Sequence, residues 1–152
     1  NRTKEAKEYL DRYAKLEGAR EMQVLCYQIR IAFKEFRVDE AKAKMAYMEE
    51  YMPNDGGVLF ELAGFYADMC EYEKAVEYYT KSFDLEVEQK KKPLYTDALW
   101  GKAICLEILG KFKEAVEVYD HLLKVVEEEW NFTEGEPVRE IMEEKMRVLK
   151  LM

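Results

Sequence analysis

The side chains that most often perform catalysis are few and scattered in this sequence. His121 is the single histidine and follows Asp120 on a predicted helix, where a surface or boundary position explains it. The run Glu127-Glu128-Glu129 does not form a pair of catalytic carboxylates, because adjacent residues of a helix point in different directions. The sequence has no glycine-rich phosphate loop and no cluster of metal ligands. We therefore expect a protein that is not an enzyme, with no catalytic residues, no metal and no cofactor.

The three cysteines, Cys26, Cys70 and Cys105, are odd in number and far apart. No two of them have the short spacing of a zinc site or a redox motif. We interpret them as buried free thiols in a reducing compartment. The sequence has no apolar run of the roughly 20 residues that cross a bilayer, and its first residues, Asn1 to Glu8, are polar rather than a secretory signal. These features favour a cytoplasmic protein.

The charge of the chain argues against nucleic acids and membrane surfaces as partners. Asp and Glu number 32 against 24 Lys and Arg, which gives a formal net charge of −8. Phosphate groups are bound by clustered Lys and Arg, and the run Lys90-Lys91-Lys92 stands beside Glu86 and Glu88. We interpret that run as a solvated turn. The many Glu, Lys, Ala, Leu and Met residues predict helices throughout a single domain of 152 residues.

The most informative pattern is an alanine that recurs in the same local context. Ala6, Ala41, Ala75 and Ala115 each follow a charged pair. Each is followed, after three intervening residues, by a large apolar side chain: Leu10, Met45, Tyr79 and Tyr119. The first three alanines recur at about 34 residues and the last comes about 40 residues later, a period that is typical of stacked helical hairpins.

Short turns are predicted just before the last three of these alanines. Gly110-Lys111-Phe112 is the clearest, because a glycine adopts positive φ easily at the end of a helix. Cys70-Glu71-Tyr72 and Phe36-Arg37-Val38 occupy the same place and lack the glycine, so we expect less ideal turns there. Pro93 suits the first turn of the following helix.

These units resemble the tetratricopeptide repeat family, whose 34-residue helix pair follows the pattern Trp-x2-Leu-Gly-x2-Tyr, then Ala-x3-Phe, then Pro. The middle unit matches best, and the other two depart from the pattern at Ile29, where a small residue is usual, and at Trp100, which lies one place late. The matching segments are Leu59-x2-Leu62-Ala63-x2-Tyr66 with Ala75-x3-Tyr79, Leu99-x2-Lys102-Ala103-x2-Leu106 with Ala115-x3-Tyr119, and Leu25-x2-Gln28-Ile29-x2-Ala32 with Ala41-x3-Met45 and Pro53.

The resemblance implies an all-α fold, a right-handed α-solenoid of antiparallel helix pairs, in one domain over residues 1–152. We expect an orphan second helix at 1–18, repeats at 22–55, 56–92 and 93–130, and a capping helix at 136–152. The orphan helix indicates either a piece of a longer array or an N-terminal cap. Val138, Ile141, Met142 and Leu149 are the expected apolar stripe of the capping helix, with a polar outer face. Its alternative role is to dock on a neighbouring domain.

In the resembled family the first helix of each pair lines a concave groove that holds a peptide or a helix. Phe60 and Trp100 are the expected anchors, with Gly64 and Ala67 leaving room between them. The alternative is that these two aromatic side chains only pack between neighbouring helices. The full predicted groove consists of Gln23, Cys26, Arg30, Phe33, Lys34, Phe60, Gly64, Ala67, Asp68, Asp97, Trp100, Ile104 and Glu107.

The groove positions also suggest which partner to expect. Family members that hold the C-terminal carboxylate of a chaperone use basic and amide side chains, and the matching positions here are Cys26, Arg30, Glu61, Asp97 and Gly101. Because two of these are acidic, we expect a different partner, an apolar or mildly basic protein segment. The leading hypothesis is a non-enzymatic protein-binding scaffold. The alternative is a module that self-associates, as in a homodimer, or that is the spacer or sensor of a larger regulatory protein.

Overall fold

The computed structural model describes residues 2–16, 20–92 and 94–152. Within these ranges the chain forms eight α-helices and no β-strand, so the all-α prediction is confirmed. The helices are α1 (Arg2–Ala14), α2 (Glu21–Lys34), α3 (Val38–Tyr51), α4 (Gly56–Asp68), α5 (Tyr72–Glu88), α6 (Asp97–Ile108), α7 (Phe112–Trp130) and α8 (Glu136–Leu149). The placement expected for Pro93 lies outside the described residues.

The helices belong to two compact units. The N-terminal unit, Asn1–Pro53, contains α1 to α3, and α2 packs against both of its neighbours. The C-terminal unit, Asn54–Met152, contains α4 to α8, and each helix packs against the next. In addition α4 contacts α6, so two first helices of consecutive pairs touch within this unit.

Three of the four recurring alanines are buried in the packing between helices. Ala41, Ala75 and Ala115 are fully buried. Met45, Tyr79 and Tyr119, the large side chains that follow them, are buried as well. A methyl group lets two helix backbones come together, and the larger residue one turn later fills the space beside it. Ala6 has the same sequence context but is exposed.

The predicted turns share one backbone geometry whether or not they contain glycine. Gly110 has a φ of 75°, and Phe36 and Cys70, at the equivalent positions, have φ of 59° and 61°. At each turn the next N–H donates to a carbonyl five residues earlier, as in Arg37 N–H to Ala32 O at 2.8 Å. This is the Schellman arrangement that usually places glycine in the left-handed conformation. Cys70 is exposed because it lies at such a turn, which corrects the expectation that all three cysteines are buried.

The start of α4 is fixed by its capping residue. The side chain of Asp55 accepts hydrogen bonds from the N–H groups of Gly57 at 2.9 Å and Val58 at 3.2 Å. These bonds satisfy donors that have no partner inside the helix. The same end of α4 is held against α5 by Ser82, which is buried and donates its hydroxyl to the carbonyl of Gly56 at 2.7 Å. Together these bonds set the register of α4 on α5.

Helix α8 differs from the expected capping helix in its register. Ile141 and Val148 are its buried residues, seven positions apart and therefore on one side of the helix. Met142 is 51% exposed, and Met146 and Leu149 are exposed beside it. The predicted stripe was therefore wrong at Met142 and Leu149, and the outer face of α8 is more apolar than expected.

Candidate functional site

The predicted groove residues of the N-terminal unit all lie on α2. Gln23, Arg30 and Lys34 are exposed and Phe33 is half-buried, so these side chains are accessible. Cys26 is buried, with its sulfur 3.8 Å from that of Met22. The thiol therefore belongs to the core of the unit, and its place in the predicted groove is corrected.

In the C-terminal unit, two aromatic pairs repeat the same geometry. The ring of Phe60 on α4 lies edge-on to the ring of Tyr79 on α5, with centroids 5.7 Å apart. Trp100 on α6 lies edge-on to Tyr119 on α7, again with centroids 5.7 Å apart. Edge-to-face pairs at this distance are favourable beyond the area that they bury. Phe60 and Trp100 are half-buried. One part of each ring therefore packs between helices, and the other part is accessible to a partner.

The space expected between these two anchors is occupied by Tyr79. A Cβ atom at Gly64 would lie 3.9 Å from the Tyr79 hydroxyl, and one at Gly101 would lie 2.4 Å from the ring. The tyrosine therefore reaches from α5 across to α6, next to two glycines. Burial raises the pKa of Tyr79 to about 12, and the charges of Asp68 and Glu61 raise it in the same direction. Ala67 of α4 is half-buried, whereas Asp68 of α4 and Asp97 of α6 are exposed.

A cleft of about 410 Å³ opens between α6 and α8. Its apolar part consists of Trp100 with Ile104 and Ile108, which are 51% and 54% exposed. Its polar part consists of Glu107 on α6 and of three residues of α8: Glu140, Glu144 and Arg147. The sequence gives no sign that α8 takes part in the groove. A capping role accounts for its expected apolar stripe and assigns nothing to the polar residues at 140, 144 and 147.

The carboxylate of Glu107 is the centre of a small polar network in this cleft. It accepts a hydrogen bond from the Tyr119 hydroxyl at 2.7 Å and forms an ion pair with Arg147. Arg147 also pairs with Glu144 at 2.7 Å. These two carboxylates raise the pKa of Arg147, and burial together with the bond to Glu107 raises that of Tyr119. With three carboxylates and one guanidinium among its lining residues, the cleft is acidic.

The described residues contain no group of three His, Cys, Asp or Glu side chains that could hold a metal ion. His121 is exposed on α7, with its ring 5.1 Å from that of Phe83 and outside the residues that line the cleft. Over residues 2–16, 20–92 and 94–152, no helix is long and apolar enough to cross a membrane.

A model of the tetratricopeptide repeat matches residues 57–128, from the first turn of α4 to near the end of α7. Over these residues the chain is similar to the tetratricopeptide repeat family. Such repeats generally mediate protein–protein interactions, and the family is generally a non-enzymatic scaffold.

Two relatives from Methanocaldococcus jannaschii are similar to this chain. A TPR repeat-containing protein is 32% identical over 93 residues, which are 59% of this chain and 29% of that protein. An uncharacterized protein is 41% identical over 49 residues, which are 32% of this chain and 50% of that protein. The chain therefore spans half or less of the length of these relatives.

Proposed function

We propose that this tetratricopeptide repeat chain is a non-enzymatic protein-interaction module whose C-terminal unit binds an apolar, mildly basic peptide segment. The segment lies on the first helices α4 and α6 and continues into the cleft between α6 and α8. We also propose that the repeats have the boundaries expected from the sequence, 22–55, 56–92 and 93–130.

The observation that carries the proposal is the composition of that cleft. Ile104 and Ile108 offer exposed aliphatic surface next to the accessible part of Trp100. An aliphatic side chain of a partner gains free energy by leaving water against this surface. Glu140 and Glu144 stand on the opposite wall, where they attract a lysine or arginine of the same partner.

The aromatic pairs support the proposal because they fix their rings in advance. Phe60 and Trp100 are each held edge-on by a tyrosine of the following helix. A ring that is already ordered loses little conformational entropy when a partner covers it. For a lone module with one such groove, we expect an affinity of about 1 μM, close to −8 kcal/mol.

The experiment is a fluorescence polarisation screen of labelled 12-residue peptides that combine aliphatic residues with either lysine or glutamate. We expect the lysine peptides to bind, and binding to weaken at least about tenfold with Ile104→Glu, which places a charge on the apolar wall without disturbing a buried side chain. Trp100→Ala and Phe60→Ala should weaken it as well. Peptides that bind all three variants as tightly as the parent would place the interface elsewhere.

The charge contribution is tested with a matched pair of variants. Glu140→Lys reverses a charge in the cleft, and Glu117→Lys makes the same change at an exposed position of α7. We expect the first to weaken the lysine peptides several-fold and the second to leave them nearly unchanged, since exposed charges interact weakly beyond a Debye length. Equal effects from both variants would show that only the net charge of the chain matters.

A further inference from the structure

The side chain of Tyr79 is buried, yet its hydroxyl has no hydrogen-bond partner among the residues that the structure describes. Tyr79 is only 8% exposed, and none of its interactions with described residues is a hydrogen bond. Over residues 2–16, 20–92 and 94–152, every side-chain oxygen or nitrogen that is shielded from solvent does have a partner. The Tyr79 hydroxyl is therefore not shielded: the ring is buried and the oxygen at its tip reaches solvent. Tyrosines this deeply buried usually pair that group.

The hydroxyl opens beside two small residues of α4. A Cβ atom at Gly64 would lie 3.9 Å from it, so the glycine leaves the space over the hydroxyl free of any side chain. Ala67 lies three residues later on the same side of the helix, is half-buried and carries only a methyl group. Both residues are positions of the predicted groove. The hydroxyl of Tyr79 is therefore a polar group at the base of the surface on which we place the peptide.

The following repeat shows how the equivalent hydroxyl is paired. Counted from the recurring alanine of each repeat, Tyr79 corresponds to Tyr119 and Ala67 corresponds to Glu107. Tyr119 donates its hydroxyl to the Glu107 carboxylate at 2.7 Å. With alanine in place of that glutamate, the earlier repeat has the same tyrosine without its acceptor. The position of the missing acceptor is on the accessible side of α4.

The surroundings of the hydroxyl select the kind of group that can replace this acceptor. Burial raises the pKa of Tyr79 to about 12, and the charges of Asp68 and Glu61 act in the same direction. The hydroxyl therefore keeps its proton at neutral pH and is available as a donor. The same two charges disfavour a further carboxylate.

Lysine and apolar side chains also fit this position poorly. An ammonium group would lose water beside a mostly buried ring, and an apolar side chain would displace water from the hydroxyl and leave it unpaired. A side-chain amide avoids these costs, because it is uncharged and its oxygen accepts a hydrogen bond.

We propose that the Tyr79 hydroxyl is a specificity-determining contact that donates a hydrogen bond to an asparagine or glutamine side chain of the bound segment. The amide oxygen takes the place that the Glu107 carboxylate has on Tyr119, over Gly64 and Ala67. This inference rests on the proposed function, since it needs a partner segment on α4 and α6. It adds to the apolar and basic character of that segment one amide at a fixed position.

The probes are labelled 12-residue peptides of leucine and lysine, in which one position at a time carries an amide or its apolar isostere. The pairs are glutamine with methionine and asparagine with leucine. Fluorescence polarisation gives their affinities for the 152-residue chain. At one position we expect the amide peptide to bind about fivefold more tightly than its isostere, the gain from one neutral hydrogen bond. In Tyr79→Phe this ratio should fall to about one. An unchanged ratio in Tyr79→Phe, or tighter binding of lysine or glutamate at that position, would overturn the proposal.

Three variants of the chain locate the contact. Tyr79→Phe keeps the packed ring and removes only an oxygen without a partner, so the urea midpoint should not fall. Ala67→Glu places a carboxylate where Glu107 lies in the next repeat, and the amide preference should be lost. Tyr95→Phe changes a tyrosine of the same unit that is 59% exposed, and the ratio should stay as in the parent. Equal losses of the amide preference in Tyr79→Phe and Tyr95→Phe contradict the proposal.

A second measurement does not depend on the peptides. N-acetylglutamine amide is titrated into the chain with isotope-labelled tyrosine rings, and N-acetylmethionine amide is the reference compound. We expect the NMR signals of Tyr79, assigned by their loss in Tyr79→Phe, to shift only with the glutamine compound. Those of Tyr119 should stay in place, because Glu107 occupies its hydroxyl.

The two measurements separate this contact from the proposed function. If no leucine–lysine peptide binds and Tyr79 responds to the glutamine compound alone, the proposed function is wrong and the contact stands. If the peptides bind and Tyr79 responds equally to both compounds, or to neither, the contact is wrong and the proposed function stands.

Discussion

The ring of Tyr79 lies against Gly101 so closely that a Cβ atom at position 101 would be 2.4 Å from its Cζ and 2.7 Å from its Cε1. Tyr79 belongs to α5, and Gly101 belongs to α6, the first helix of the following pair. The same ring meets Phe60 of α4 edge-on. One tyrosine therefore contacts the first helices of two consecutive repeats, and it joins them within the C-terminal unit.

Replacement of Gly101 by alanine is expected to destabilise the C-terminal unit. Separations below 3.0 Å do not occur for real Cβ atoms, so the Tyr79 ring or the whole of α6 has to shift. Overpacking of this kind costs about 1–3 kcal/mol. Urea denaturation followed by circular dichroism measures the loss as a lower midpoint at an unchanged slope.

Gly64→Ala is the matched control for that variant. Its Cβ would find only the Tyr79 hydroxyl at 3.9 Å, an ordinary contact. Alanine also has the higher helix propensity, by about 1 kcal/mol. Gly64→Ala should therefore leave the stability unchanged or raise it. If both glycine variants lose the same stability, the contact between Tyr79 and Gly101 is not the cause.

The recurring alanines make a second prediction. Ala75→Leu and Ala115→Leu each place a large side chain at a fully buried position and should cost roughly 1–3 kcal/mol. Ala6→Leu makes the same change at an exposed position and should cost less than about 0.5 kcal/mol. Thermal unfolding of the three variants gives the comparison. Melting curves of Ala75→Leu and Ala115→Leu that match the parent would show that these alanines do not set the helix approach.

The helices could be predicted from the sequence because their signals are local and repeated. An alanine in register with a large apolar residue marks a second helix, and the turn before it needs only a residue that tolerates positive φ. The family and the all-α fold followed from these signals. The register of α8 could not be predicted in the same way, because both Ile141 and Met142 fit an apolar stripe. Only the packing on α7 shows which of them is buried.

The details of the candidate site were harder to predict, since they depend on pairs that are distant in the sequence. Nothing near Glu107 indicates that Tyr119 and Arg147 share its carboxylate. The burial of Cys26 also depends on three-dimensional packing. Cys26 and Trp100 occupy equivalent positions in the repeat pattern, yet Cys26 is buried and Trp100 is only half-buried. The residue type at each groove position could be read from the sequence, but the exposure of its side chain could not.

The turn at Phe36 provides a third prediction. Phe36 has a φ of 59° and its side chain is 89% exposed, so the left-handed conformation brings strain without compensating burial. Phe36→Gly should relieve that strain and, after the extra entropy of an unfolded glycine, stabilise the N-terminal unit by about 0.5–1 kcal/mol. The reverse change, Gly110→Ala at a φ of 75°, should destabilise by a similar amount. Chemical denaturation tests both, and a loss of stability in Phe36→Gly would contradict the strain argument.

His121 gives a prediction about pH. Partial burial lowers its pKa from 6.5, and the nearby charges of Lys102 and Lys124 lower it further. The folded state binds the proton of His121 less readily than the unfolded state does. The contribution of the neutral imidazole to the stability of the fold is therefore complete above pH 6.5, and it is lost as the pH falls through the folded pKa. The single histidine gives one clean NMR titration, whose midpoint should lie below 6.5. In Phe83→Ala, which removes the ring 5.1 Å away, the midpoint should move upwards. A midpoint above 6.5 in the parent chain would contradict the assigned cause.

Arg147 makes the last prediction, because its guanidinium occupies the acidic cleft that we assign to a basic segment of a partner. It pairs with Glu107 and with Glu144, the two carboxylates on opposite walls. Arg147→Met keeps much of the side-chain volume and removes the positive charge. The affinity for lysine-containing peptides should therefore rise several-fold, and its dependence on salt concentration should become steeper. Arg139→Met is the control, since Arg139 pairs with Glu136 at the exposed start of α8. Polarisation titrations of both variants at two salt concentrations make the comparison. An affinity that rises equally in both variants reflects only the net charge of the chain. An affinity that falls in Arg147→Met would show that the guanidinium positions the carboxylates for binding.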